Sequence, residues 1–155
     1  MDNVATDRRH QVLAAKRALR EVNNQISLLS HRVSTRAAVK DIDLDTLDYL
    51  SQHGPLSAIA IARGIGLHPA TMTGVLDRLE KGGWILRERA ADDRRAILVS
   101  IDPKRNSDLF ELYAGMDSAM DGVLAEFDDA QLETITLFLR RTVEAGRVST
   151  EELDA

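Results

Sequence analysis

The 155-residue sequence predicts a mainly α-helical fold with one small β-hairpin in its middle third. Three observations carry this. Apolar residues recur at 3-4 spacing over long stretches near both ends. Proline and glycine mark off three shorter helices between those stretches, and two strand-like runs, Trp84–Arg89 and Ala96–Ile101, follow them. Composition agrees: 44% hydrophobic residues suffice for a packed core, while only 4% are aromatic and helix-favouring Ala, Leu and Arg abound.

The first stripe is Val12, Ala15, Leu19, Val22, Ile26, Leu29 and Val33, three heptads uninterrupted by Pro or Gly. It predicts a helix of roughly 25–35 residues. Asp41, Asp43 and Asp45 then gather at the start of a short helix carrying Leu44, Leu47 and Leu50 and stopping near His53-Gly54-Pro55. A second short helix spans Ser57 to Arg63 with Ile59, Ala60 and Ala62, and Gly64-Ile65-Gly66-Leu67 forms a turn. Pro69 opens a third helix, Pro69–Lys81, closed by Gly82-Gly83: proline just inside the start, glycine just past the end. In the hairpin, Ile97, Val99 and Ile101 share one face. Asp102-Pro103 caps and begins the next helix, whose stripe is Leu109, Tyr113, Met116, Met120, Val123 and Phe127. After Asp128-Asp129 a last helix carries Leu132, Ile135, Leu139 and Thr142/Val143.

Helix, glycine turn, helix, hairpin is a helix-turn-helix with a wing. The expected organisation is a winged helix-turn-helix at residues 41–101, flanked by an N-terminal helix region at 1–40 and C-terminal helices at 102–155. The terminal stripes either pack within one monomer or pair with a second copy. Helices this long overhang a core built from the short middle elements, which favours a two-fold homodimer.

Formal net charge is −5, but it is unevenly placed. Residues 63–95 hold seven Lys/Arg against five acids, whereas residues 102–155 hold five against thirteen. Such asymmetry orients a molecule on a polyanion with its middle third inward. The chain has no cysteine, which excludes disulfides, thiolate metal sites and thiol redox switches. No apolar run suits a signal-peptide core or a membrane span, so a soluble cytoplasmic protein is expected.

Catalytic and cofactor readings find little support. His10, His31, His53 and His68 are scattered, with no i,i+4 pair. Asp41-x-Asp43-x-Asp45 begins like a calcium loop, but Thr46 stands where glycine is needed and Gln52 where the bidentate glutamate belongs. There is no phosphate-cradling glycine loop and no nucleophile motif. Neither an enzyme nor a resident cofactor is expected.

On the third helix Met72, Val75, Leu76 and Leu79 fall on one face and read as core. The opposite face holds Ala70, Gly74, Asp77, Arg78 and Lys81, flanked by Thr71 and Thr73. Mid-helix glycine costs up to about 1 kcal/mol relative to alanine. Close approach to another surface offsets that loss, and small Ala70 and Gly74 let the backbone settle into a major groove. Thr71 and Thr73 can bond phosphates or bases, while Arg78 and Lys81 supply positive charge.

At the hairpin tip, Asp92-Asp93-Arg94-Arg95 poses a question, since acids are odd neighbours for DNA. In an extended segment Asp93 and Arg95 lie on the same side, so the carboxylate can aim the guanidinium. A narrow minor groove concentrates negative potential that suits such an arginine.

The run Leu67-His-Pro-Ala-Thr-Met-Thr-Gly-Val-Leu-Asp-Arg-Leu-Glu-Lys-Gly-Gly-Trp-Ile, with Asp93-Arg94-Arg95 and the strand Ala96–Ile101, resembles the MarR family of winged-helix regulators over residues 44–101. The resemblance implies a cytoplasmic homodimer held by its terminal helices, binding pseudo-palindromic double-stranded DNA, usually as a repressor. It further implies groove contacts from Pro69, Ala70, Thr71, Thr73 and Gly74, and minor-groove entry by Arg95 braced by Asp93. Release by a small aromatic or anionic effector is also implied, bound between the dimer helices and the winged domain, where His31, Arg32 or Tyr113 are candidates. His68 departs from the family's usual Ser cap, and Ser100-Ile101-Asp102-Pro103 from the usual end of the second wing strand. The competing reading is a winged-helix module for protein–protein contact alone, which calls for an apolar or acidic face on the third helix.

Overall fold

In the computed structural model, which describes residues 2–90 and 96–153, short helices rather than long ones hold the core. The elements in chain order are α1 (Asp2–Ala37), α2 (Asp41–His53), α3 (Ala58–Gly64), α4 (Pro69–Lys81), β1 (Ile85–Arg89), β2 (Ile97–Ile101), α5 (Pro103–Leu124) and α6 (Asp129–Leu153). The chain divides into two units, Met1–Leu112 and Tyr113–Ala155.

The buried hydrophobic residues belong to the first unit: Val33 of α1; Leu44, Leu47 and Leu50 of α2; Ile61 and Ala62 of α3; Met72, Val75, Leu76 and Leu79 of α4; Trp84, Ile85 and Val99. Period 3-4 in the three short helices turns one face of each onto this common centre. Two details differ from the sequence expectation for α3: Ile59 is 63% exposed, and Ile61 takes the buried position. Seven residues of helix bury only a narrow strip, here Ile61 and Ala62.

Helix boundaries follow from local chemistry. α1 ends with Ala38 at φ +55, its N–H bonded to Thr35 O, while the Val39 N–H reaches Ser34 O. This closing pattern normally uses glycine at the left-handed position. Ser57 caps α3 by accepting the Ala60 N–H. Asp128 and Gln131 cap α6 reciprocally, each side-chain oxygen accepting the other's backbone N–H at 2.9 Å. Gly64 is required by contact rather than conformation, because a Cβ there would collide with the Tyr49 ring.

β1 and β2 pair antiparallel from Ile85↔Ile101 to Arg89↔Ile97. Leu56 adds a one-residue bridge to Val99, exchanging backbone bonds of 3.1 and 2.8 Å. That bridge ties the segment before α3 to the wing, and a lone residue leaves no alternation in sequence by which to foresee it.

Asp41, Asp45 and Asp48 follow one another at i, i+4 and i+7 on α2. The Ser34 hydroxyl, and then the His31 ring, hold Asp41 below its ordinary value of 3.8. Burial, and then the charge of the preceding aspartate, raise Asp45 and Asp48 above it. A carboxyl raised on folding contributes stability below its unfolded pKa and loses it as pH rises through the folded one. Asp48→Asn therefore raises Tm at about pH 7, and the gain vanishes at about pH 3, where both states are protonated. Thermal melts at the two pH values check this; an equal gain at both contradicts it.

Candidate nucleic-acid interface

α4 is a helix with one buried and one open side. Met72, Val75, Leu76 and Leu79 are each at most 1% exposed, whereas Pro69, Ala70, Thr71, Thr73, Gly74, Asp77, Arg78 and Lys81 are exposed. The alternation follows from helical period, and the buried side fixes which way the open side looks. Its N-terminus is capped by His68, whose Nδ1 accepts the Ala70 N–H at 3.2 Å. An imidazole thus takes the place of the more usual serine, with the ring proton left to Nε2. Thr73 Oγ1 donates back to Pro69 O at 3.2 Å, and Thr71 makes no side-chain hydrogen bond among the described residues. A Cβ at Gly74 would meet only Arg78 Nη1, at 3.9 Å. The notch at Gly74 is therefore open toward solvent.

Two arginine–carboxylate pairs hold this helix. Arg87 of β1 donates to Asp77 at 2.6 Å and lies 3.4 Å from Glu80, so the wing is tied to α4 by its first strand. The pairing also offsets part of the negative charge that would otherwise repel a polyanion. On the other side Arg78 reaches α2, with Nη2 2.5 Å from Asp43 Oδ1 and Nε 3.3 Å from Oδ2. That carboxylate holds the guanidinium firmly protonated. Arg78, expected to turn its charge outward, is thus partly engaged within the protein, and Lys81 has no ion-pair partner among the described residues.

Asp43 and Arg87 were not singled out from sequence. Asp43 read only as a helix-start acid, and its partner lies 35 residues further on, where no local pattern links them. Asp93, Arg94 and Arg95 lie outside the described residues. Backbone pairing of the hairpin continues to the Ala90 N–H, which bonds Ala96 O at 2.9 Å. Among the described residues no cluster of His, Cys, Asp and Glu is arranged to hold a metal, and no helix is long and apolar enough to cross a membrane.

Comparison with known proteins decides the family. The MarR family model matches residues 43–97, from the third residue of α2 to the first residue of β2. The HTH-type transcriptional regulator YcgE of Bacillus subtilis is 30% identical over 132 residues, 83% of this chain and 82% of that protein. The chain belongs to the MarR family. It is therefore a DNA-binding transcriptional regulator and not an enzyme. Solved MarR-family folds agree. A mutant MepR from a multidrug-resistant S. aureus clinical isolate superposes with a TM-score of 0.71 at 16% identity, over 84% of this chain and 96% of that one. A MarR family protein from Bacillus stearothermophilus gives 0.68 at 19%, over 89% and 96%. A second S. aureus MepR mutant, solved bound to an oligodeoxyribonucleotide, gives 0.56 at 18%, over 84% and 96%. At these identities the likeness concerns the fold, which is mainly helical with a two-stranded hairpin in this chain.

Proposed function

We propose that this MarR-family regulator acts in the cytoplasm as a homodimeric repressor on a pseudo-palindromic operator. In this reading residues 41–101 form the DNA-reading domain, and residues 1–40 and 102–155 supply the dimer helices. Pro69, Ala70, Thr71, Thr73 and Gly74 enter the major groove, with Arg78 and Lys81 beside them. Asp93 steers Arg95 into the adjacent minor groove, and Arg94 belongs to the same DNA-binding set. The observation that carries the reading is the open face of α4: small, polar and glycine-notched, with its two acids, Asp77 and Glu80, both drawn to Arg87 at its edge. An apolar protein-docking face on α4 would look different. MepR crystallised on an oligonucleotide supports the same use of this fold.

Dimerisation is supported by apolar residues left in water. Val12, Val22 and Ile26 of the α1 stripe are 44–52% exposed, and Met116, Met120, Val123, Leu139 and Val143 are exposed as well. Such surface on a monomer calls for a partner. A candidate effector site is a cavity of about 600 Å³ in the first unit, whose lining includes Arg32, Arg36, Trp84, Arg105, Asp108 and Glu111. The Arg105 guanidinium sits 4.0 Å over the Trp84 ring. Its three arginines suit a small anion and its indole wall an aromatic one. Of the three effector-site candidates named from sequence, Arg32 lines this cavity, whereas His31 bonds Asp41 at 3.0 Å.

Duplex carrying the gene's own upstream region tests the reading in a gel shift. Binding should weaken steeply with salt, each phosphate contact adding about −0.9 to the log–log slope. Arg95→Ala should weaken it by roughly 1–3 kcal/mol without moving Tm. Unaltered affinity in that variant removes the wing from the proposal.

A further inference from the structure

We infer that Asp43 is a positioning residue for DNA recognition, acting through Arg78; the inference rests on the reading that the open face of α4 meets DNA. Asp43 sits in the first turn of α2 and is only 4% exposed. Its Oδ1 takes Arg78 Nη2 at 2.5 Å, and its Oδ2 takes Arg78 Nε at 3.3 Å and the Lys40 backbone N–H at 3.4 Å. One edge of the guanidinium is thereby fixed by a carboxylate that cannot itself move into solvent.

The other edge is what DNA would meet. Arg78 lies one turn beyond Gly74, and helical side chains lean back toward the N-terminus. Its Nη1 accordingly stands 3.9 Å from the position a Cβ would occupy at Gly74, on the open face, and its side chain remains 42% exposed. A planar fork gripped along one edge offers its remaining N–H groups in a fixed direction, as a lysine could not. The buried carboxylate also cancels the arginine's net charge. Arg78 is thus built to give directed hydrogen bonds at the floor of the notch, more than a general attraction for phosphate.

This arrangement separates two quantities that a purely structural ion pair would move together. Asp43→Asn removes one negative charge beside the face, so charge alone predicts equal or tighter binding to any duplex. Loss of direction predicts the opposite for a preferred sequence. The wild-type protein is first used to select its preferred duplex from a random-sequence pool, and both that duplex and unselected duplex are titrated. For Asp43→Asn we expect affinity for the selected duplex to fall about tenfold or more, the scale of one directed base contact, while affinity for unselected duplex holds or rises. Adding Arg78→Ala to that variant should lower selected-duplex affinity no further, since the two residues act as one.

The variant should fold, because a half-exposed Arg78 can hydrate, while the single asparagine oxygen can accept from only one of the two edge N–H groups and no longer fixes that edge. Should it prove unfolded by circular dichroism, Arg78→Lys keeps the ion pair while removing the fork, and the same loss of preference is expected. Undiminished preference for the selected duplex in whichever of these variants is folded overturns the role of Asp43. A wild-type protein that enriches no sequence and binds no duplex overturns the DNA reading of α4 itself, which is a different result.

Discussion

Gly74→Leu leaves the chain folded, slightly more stable, and unable to bind its operator. Stability and function move in opposite directions here, and both signs follow from the same site. Within an exposed helix a leucine in place of glycine gains up to about 1 kcal/mol of helix propensity. The space for it exists, since the nearest atom to an added Cβ is Arg78 Nη1 at 3.9 Å. In the proposed complex that space belongs to the base edges, and an isobutyl group holds the helix out of the groove. Affinity for the selected duplex should drop about a hundredfold or more, close to 3 kcal/mol. Tm and a gel shift on one preparation give both numbers. Full operator binding by a folded Gly74→Leu protein removes α4 from the groove.

The second large effect concerns the part of α1 that the core does not use. Val22→Glu with Ile26→Glu puts two charges in the α1 stripe, at positions already 52% and 47% exposed. Neither belongs to the buried core, so helicity should be retained. If the stripe packs against a second copy, two buried like charges on each side cost several kcal/mol, enough to dissociate most dimers at micromolar concentration. The doubly substituted protein should sediment as a single chain and lose most of its affinity for duplex. Unchanged association in that variant moves the dimer surface off α1.

Much of the winged unit was legible because its signals are local. Pro69 and Gly82-Gly83 bracket α4 at the bounds the structure gives, and the 3.6 period identified Met72, Val75, Leu76 and Leu79 as its buried side. His68 was an irregularity in sequence, and it proves to be a cap through its ring nitrogen. Long-range pairing was not legible. Asp43 with Arg78 and Asp77 with Arg87 join residues on different elements, and each acid or arginine looks like ordinary surface until the helices are packed. Ile61 was passed over in favour of Ile59 for a related reason: in a helix of seven residues, two apolar positions two apart cannot both face the core, and packing chooses between them. The bridge of Leu56 to Val99 depends likewise on where the wing comes to rest.

In the proposed reading the exposed apolar stripes join two chains, and the open faces of their α4 helices meet one duplex. Sedimentation of the protein with its selected duplex at low ionic strength measures that directly. The expected result is a free species of twice the 17.2 kDa chain mass and a complex containing two chains per duplex. A single 17.2 kDa chain that ignores double-stranded DNA under the same conditions contradicts the account at its centre.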